Sequence, residues 1–425
     1  MKKIMKKNHY KPACLMSIHG YLSTGKWQTM LDEVLDDTDI IHKPYKYGLK
    51  IFRVFPHQIN NDTIKFRDWY FKRVNEMHFR TEEPFHRPSI IAHSLGSWIL
   101  AKALLTYPEL KFDKIFLHGS IVPSDFDWFK LILNGQINSI ICETCKNDKV
   151  VPFGVIFTSS IKGCGKFGIY QKSSFIREEN ISEYGHSSFQ YKEHFKQYVI
   201  KRLYETPHQL SVINGSETTE IDIVKIFKQS NEIDKSAYSE AYNDSPISIQ
   251  TAMNWYRIEK DIWSFVKNIY TKEILAYINA IPVNDETYQK FMCGQLNEID
   301  LKSNEILVLD TSSNYNLIVL SIAIKKGLNY EENTLHRGRI AEILIMTAIT
   351  KINSYLSKRK KLKKIGAVAW TAEGEKLCKG FCMTKKEDVK SDFPYYEIDL
   401  KNFDKKLLSE ANFMSKWWFN KKLKI

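Results

Sequence analysis

Pro88-Ser89-Ile90-Ile91-Ala92-His93-Ser94-Leu95-Gly96-Ser97-Trp98-Ile99-Leu100-Ala101 is the stretch around which the first half of the chain is organised. A short apolar run containing β-branched residues gives way at His93-Ser94-Leu95-Gly96 to apolar residues at helical spacing, so the segment reads as strand, sharp turn and helix. Ser94 falls on the turn. A serine there projects its hydroxyl above the sheet edge, while the amide of Leu95 opens a helix whose positive N-terminal end can face a developing oxyanion.

Upstream, residues 12 to 18 read as a buried strand that runs into His19-Gly20-Tyr21. A helix near 26 to 36, a strand Lys50 to Phe55 and a helix from Thr63 to Met77 follow. Such βαβαβ alternation predicts a parallel sheet with right-handed crossovers and a ligand site at the carboxyl ends of its strands. Downstream come the strand Lys114-Ile-Phe-Leu-His-Gly119, a loop over Ser120 to Phe126, a short helix, and the strand Ser139 to Cys145. Lys146-Asn147-Asp148-Lys149-Val150-Val151-Pro152 stands directly after that strand, and Gly185-His186-Ser187-Ser188-Phe189 opens a final helix over 189 to 204.

The Ser94 turn resembles the nucleophile elbow of α/β-hydrolases, Gly-x-Ser-x-Gly, with Ala92 at the first glycine, a position that needs a small side chain for the turn to close. In that family a His-Gly after the first strand precedes an oxyanion-hole residue, which implies the amide of Tyr21 as partner to that of Leu95. An acid on an Asn/Asp-x-Val-Val/Ile-Pro loop orients the catalytic histidine, which implies Asp148, and the Gly-His loop implies His186. The chain order Ser94, Asp148, His186 is the order of this fold. A serine needs a base within about 3 Å to take its proton, and a carboxylate on the far imidazole nitrogen fixes the tautomer. The resemblance implies cleavage of a carboxylic ester or related acyl bond of a small molecule without a cofactor; amides and thioesters remain open. His57, His78, His86, His93, His118 and His194 lack matching context and read as surface or core residues.

At 425 residues the chain exceeds one ordinary core, which predicts two or three domains. No apolar run approaches the length that spans a bilayer, and the residues after Met1 to Lys7 offer no apolar signal region, so a soluble, unsecreted protein is expected. Seven cysteines without a disulfide framework point to a reducing cytoplasm. Cys142 and Cys145 lack a second pair or a His cluster to complete a zinc site, and no metal is expected. The net charge of +13 gathers at 358 to 364 and in the tail, where a solvated surface is the simpler reading and no nucleic-acid site is read. The oligomeric state has no sequence signature here.

The first domain is expected to span 1 to 206 and a polar, turn-rich linker 207 to 236. Beyond it come antiparallel strands over Asp261 to Asn268 and Lys272 to Val283, a short helix Asp285 to Phe291, strands Glu305 to Asp310 and Asn316 to Ile324, and a long helix Arg339 to Leu356. Ala367-Val-Ala-Trp-Thr371, Gly374 to Leu377 and Gly380-Phe381 make a late strand, helix and turn. This succession resembles a GNAT-type N-acyltransferase over 237 to 400, followed by a basic aromatic tail, 401 to 425. The resemblance implies an α+β fold, acetyl-CoA or acyl-CoA as cofactor, pantetheine held by the backbone of Ile322, Ala323 and Ile324, and pyrophosphate held near Arg337, Gly338 and Arg339. The loop Asn333 to Ala341 carries its glycine one residue out of register from the family's spacing. Lys376 and Cys378 are the nearest groups where a tyrosine often acts as general acid. Two other functions stay open: a CoA-dependent N-acyltransferase with an accessory hydrolase domain, and a non-catalytic interaction protein on both folds.

Overall fold

A computed structural model describes residues 12, 14–21, 23, 25–47, 56–81, 86–154, 162–181, 185–187, 191–205, 210–238, 247–268, 271–309, 314–326, 335–359, 362–381, 383–389 and 391–400. The chain divides into two compact units, Met1–Gln209 and Leu210–Ile425.

In the first unit β1 (Cys14–Ile18), α1 (Lys26–Leu35), β2 (Ile41–Tyr45), α2 (Pro56–Glu76), β3 (Ser89–His93), α3 (Leu95–Thr106), β4 (Phe112–His118), α4 (Trp128–Leu133), β5 (Ile137–Thr144), α5 (Cys164–Phe167) and β6 (Ile176–Asn180) alternate. A last helix, α6, runs over 192–203 with a π-helical middle, Phe195–Ile200. The six strands are all parallel, in the order β2-β1-β3-β4-β5-β6. Ile90, Ile115 and Ile140 are register partners on one face of the sheet and are fully buried. On the opposite face Leu15, Ile91, Phe116 and Ile141 pack against Trp27 and Leu31 of α1 and Phe195 and Val199 of α6. A sheet covered on both faces needs near-continuous apolar strands, and β1, β3 and β4 are buried along their whole length. This is the α/β-hydrolase architecture.

The second unit holds β7 (Leu210–Asn214), α7 (Glu220–Ala237), α8 (Ile249–Ile258), β8 (Trp263–Asn268), β9 (Ile274–Val283), α9 (Asp285–Met292), β10 (Tyr315–Ile324), α10 (Leu335–Arg359), β11 (Leu362–Val368), α11 (Ala372–Gly380), β12 (Thr384–Lys385) and β13 (Tyr395–Asp399). The seven strands are ordered β12-β13-β11-β10-β9-β8-β7 and pair antiparallel except β10 with β11. Ile223, Phe227 and Ile233 of α7 and Trp255 and Tyr256 of α8 pack on Trp263, Phe265, Tyr277 and Ile281 of the sheet. This is a GNAT-like α+β domain.

Several expectations need correction. The expected linker 207 to 236 contains β7 and all but the last residue of α7. Its polar composition reflects an edge strand, half-buried beyond Leu210, and a surface helix whose apolar residues, Ile223, Ile226, Phe227 and Ile233, occupy one stripe. The strand expected over Lys50 to Phe55 lies outside the described residues, and β2 pairs with β1 instead. No strand forms over the described part of Glu305 to Asp310: Ile306 makes one isolated bridge to Val283. β6, β12 and β13 had no sequence reading. The tail 401 to 425 lies outside the described residues.

Candidate active site

Two groups of the candidate triad follow strands of the first unit, Ser94 after β3 and Asp148 after β5, and His186 lies further along the chain from the end of β6. At the end of β3, Ser94 adopts φ 50° and ψ −121°, a conformation sparsely populated for a residue with a side chain. The surroundings impose it. The Ser94 amide donates to the His118 carbonyl at 3.1 Å, and its own carbonyl accepts from the Ser97 amide (3.0 Å) and the Ser97 hydroxyl (2.6 Å). The start of α3 lies so close to the end of β1 that a Cβ on Gly96 would stand 2.5 Å from the His19 carbonyl oxygen. One on Gly20 would stand 2.7 Å from the Ser94 Cβ. Ala92 is fully buried, so its methyl fits where the usual motif carries glycine.

Asp148 lies in the turn after β5, and its side chain is fully buried. Its Oδ1 accepts from the amides of Val150 (2.8 Å) and Val151 (3.0 Å), which leaves Oδ2 for the Nδ1–H of His186 at 2.8 Å. Burial pushes this carboxyl up, but the hydrogen bond and charge of His186, with the two amides, outweigh it and hold the group below the ordinary aspartate value. The Nε2 of His186 then faces Ser94 Oγ at 3.0 Å. Because Nδ1 faces a carboxylate it carries the proton, and Nε2 is the acceptor for the serine hydroxyl.

Two residues outside the sequence-predicted set support the histidine. Gly119, at φ 50°, touches it so closely that a Cβ would stand 2.9 Å from both His186 Nδ1 and the His186 carbonyl oxygen. His93 donates from Nε2 to that carbonyl at 3.3 Å. Burial and the neighbouring His186 and His118 push His93 well below the ordinary histidine value, so it serves as a neutral donor. Neither was legible as a site residue beforehand, although His118-Gly119 at a strand end was the available signal for Gly119. The two expected oxyanion donors also come to this place. Leu95 is the first residue of α3, and Tyr21 follows Gly20, which abuts Ser94. A serine, its base, the base's orienting acid and a helix N-terminus together have the parts for acyl transfer to water.

In the second unit β10 pairs with β11 only as far as Val319 with Ala367, while it continues beside β9 to Ile324. A cavity of about 1070 Å³ includes residues of this gap, with Ile322, Ala323, Ile324, Gly338, Lys376 and Cys378 among its lining residues. Arg339 is a half-buried residue of α10 that is not in that lining, and the side chain of Arg337 lies outside the described residues.

No protein-family model matches the chain, and no curated protein matches it. Solved structures match about half of it at a time. An uncharacterized protein from Bacillus cereus is 12% identical over 48% of this chain and 66% of its own, with TM-score 0.33, so this chain spans just under two thirds of that protein. A bromoperoxidase from Bacillus anthracis is 11% identical over 47% of this chain and 94% of its own, with TM-score 0.34. A polyamine N-acetyltransferase from Drosophila melanogaster is 8% identical over 45% of this chain and 100% of its own, with TM-score 0.28. At these values the fold assignment stands on the strand orders themselves. Among the described residues no helix is long and apolar enough to cross a membrane.

Proposed function

We propose that the chain is a serine hydrolase that cleaves a carboxylic ester or related acyl bond. The observation that carries the reading is the continuous hydrogen-bond chain from Ser94 Oγ through His186 to Asp148, 3.0 and 2.8 Å, built on a strained turn that raises the serine from the sheet edge. Ser94 Oγ attacks the acyl carbon as its proton passes to His186 Nε2, and the imidazolium is steadied by Asp148. The amides of Leu95 and Tyr21 stabilise the tetrahedral oxyanion. The protonated His186 then protonates the leaving alkoxide, and water, deprotonated by the same nitrogen, releases the acid and regenerates the serine. Hydrolysis of a panel of p-nitrophenyl acyl esters tests this. The wild-type chain is expected to turn over at least one acyl length, and Ser94→Ala to fall to background. Equal rates for both proteins would contradict the assignment.

One observation favours a second activity, CoA-dependent N-acyl transfer in the second unit. The expected pantetheine residues Ile322, Ala323 and Ile324 and the expected pyrophosphate residue Gly338 line one cavity at the gap between β10 and β11. Its size suits a cofactor-sized ligand. Stabilisation of the full chain by acetyl-CoA in thermal unfolding supports this reading, and no shift at millimolar acetyl-CoA contradicts it.

A further inference from the structure

Three side chains of the first unit that could ligate a metal ion, none of them in the candidate triad, lie together in the fold. His118 ends β4, Glu143 lies on the adjacent β5, and His194 lies at the start of α6. His118 Nδ1 meets Glu143 Oε2 at 2.6 Å, and His194 Nε2 meets Glu143 Oε1 at 2.8 Å. One donor atom from each of the three falls within 4.8 Å of the others. All are enclosed, with exposures of 1%, 6% and 6%. The ring of Tyr198 stacks on that of His194 at 4.9 Å.

We propose that His118, Glu143 and His194 bind one divalent transition-metal ion, zinc by their chemistry. Two imidazoles and one carboxylate form a recurrent zinc donor set, and here they come from two strands and a helix that fold independently of any ligand sequence motif. Glu143 accepts a hydrogen bond from each imidazole, so all three donor groups are already turned toward one another, and a divalent ion would take the place of those shared protons. Zinc–ligand bonds of about 2.0–2.2 Å place tetrahedral donors about 3.3–3.5 Å apart. The contacts of 2.6 and 2.8 Å fall on different oxygens of Glu143, and one donor atom from each residue lies within 4.8 Å of the others, so ligation opens the short contacts and draws the widest donor pair together by up to about 1.5 Å. The proton that each ring directs at Glu143 must leave the binding nitrogen. A neutral imidazole moves it to its other nitrogen, and an imidazolium releases one proton to solvent. The carboxylate binds as the anion. The ion would tie α6 to the ends of β4 and β5. His118 is also the residue whose carbonyl accepts from the Ser94 amide, and the next residue, Gly119, abuts His186. Metal at this site would thus brace the triad without touching substrate.

The test uses the full chain without a histidine tag, purified from cells supplied with zinc, and measures bound metal by mass spectrometry. About one zinc per chain is expected in the wild type and in Ser94→Ala, and its loss in Glu143→Gln and His194→Gln. The Ser94→Ala sample separates this proposal from the hydrolase reading, because its metal load is independent of any activity. Because the site is enclosed, wild-type chain is also unfolded with chelator and refolded with zinc. Folded wild type that holds no zinc by either route overturns the proposal, as does zinc retained by folded Glu143→Gln. Should the variants not fold, X-ray absorption on the wild-type zinc decides. A nitrogen and oxygen shell with imidazole outer scattering supports the site, and a shell containing sulfur overturns it.

Discussion

Replacing Asp148 by asparagine separates the orienting role of the carboxylate from its structural role. Oδ1 of Asp148 already serves the amides of Val150 and Val151, so the carbonyl oxygen of the introduced side-chain amide would keep those two hydrogen bonds and its NH₂ group would take the place of Oδ2. That NH₂ group donates where Asp148 accepted. His186 Nδ1, 2.8 Å away, must then become the acceptor, and its proton moves to Nε2, which faces Ser94 Oγ. The base is blocked in its ground state. Loss of the correct tautomer in a Ser-His-Asp triad costs about 10³–10⁴ in turnover, which is about 4–5.5 kcal/mol at 1.36 kcal/mol per decade. The assay is initial-rate hydrolysis of the best p-nitrophenyl ester, with circular dichroism and thermal unfolding to show that the fold is kept. A fall confined to kcat, with little change in Tm, is expected. Turnover within about tenfold of wild type would refute the reasoning and pass the role to another acid. Asp125 and Asp127 follow β4, but Asp127 already caps α4 and accepts from Gln171, which leaves exposed Asp125 as the next acid to test.

Other outcomes follow from single features of the two units. Gly119→Ala places a Cβ 2.9 Å from His186 Nδ1 at a positive φ, so turnover should fall by about 10² or more, whereas Gly135→Ala, at φ 68° with nothing within 4 Å of its Cβ, should cost about 1–2 kcal/mol of stability and leave turnover unchanged. Equal turnover in the two variants would contradict the contact. A chain beginning at residue 237 lacks β7 and the apolar stripe of α7 and should be insoluble, while one beginning at 208 should be soluble and monodisperse in size-exclusion chromatography. The reverse result would restore the linker reading. Asp234, hydrogen-bonded by Tyr277, is pushed up to about 7 by burial, and Glu298 to about 8 by burial and by Asp234. Both hold protons in the folded chain that an unfolded chain releases near pH 4, so their contribution to stability falls as pH rises from about 4 toward about 8. Asp234→Asn should therefore gain in Tm relative to wild type between pH 5 and pH 8, and a constant difference would contradict the assignment.

The parts of the fold that were legible in advance are those with one-sided chemistry. β3 and β4 have apolar centres, Ile90-Ile91-Ala92 and Ile115-Phe116-Leu117, and each ends in a histidine followed by a small residue, so strand, turn and site could be read together. The three residues of the candidate triad could be proposed together because three separate loops each carry a short pattern, and the parallel sheet brings strand ends to one edge. β2 was not legible, because Ile41-His42-Lys43-Pro44-Tyr45 is an edge strand with a polar, proline-containing sequence and only Tyr45 buried. β7 and α7 were hidden for a related reason, since the edge strand is only half-buried beyond Leu210 and the surface helix buries a single stripe within a polar sequence. His118, Glu143 and His194 lie far apart in the chain and meet only through the packing of α6 on the sheet, so no local spacing could have paired them. Gly119 needed the structure too, because its role depends on the approach of the His186 loop.

If Ser94 is an activated nucleophile, a covalent serine probe captures it. A fluorophosphonate probe reacts only with a serine whose proton is drawn away and whose phosphoryl oxygen can be held in an oxyanion site. Intact-mass analysis of the full chain should show a single adduct, placed on Ser94 by peptide mapping and absent in Ser94→Ala and His186→Ala proteins that remain folded. A folded wild-type chain that takes no label, or one labelled equally when Ser94 is alanine, would contradict the account.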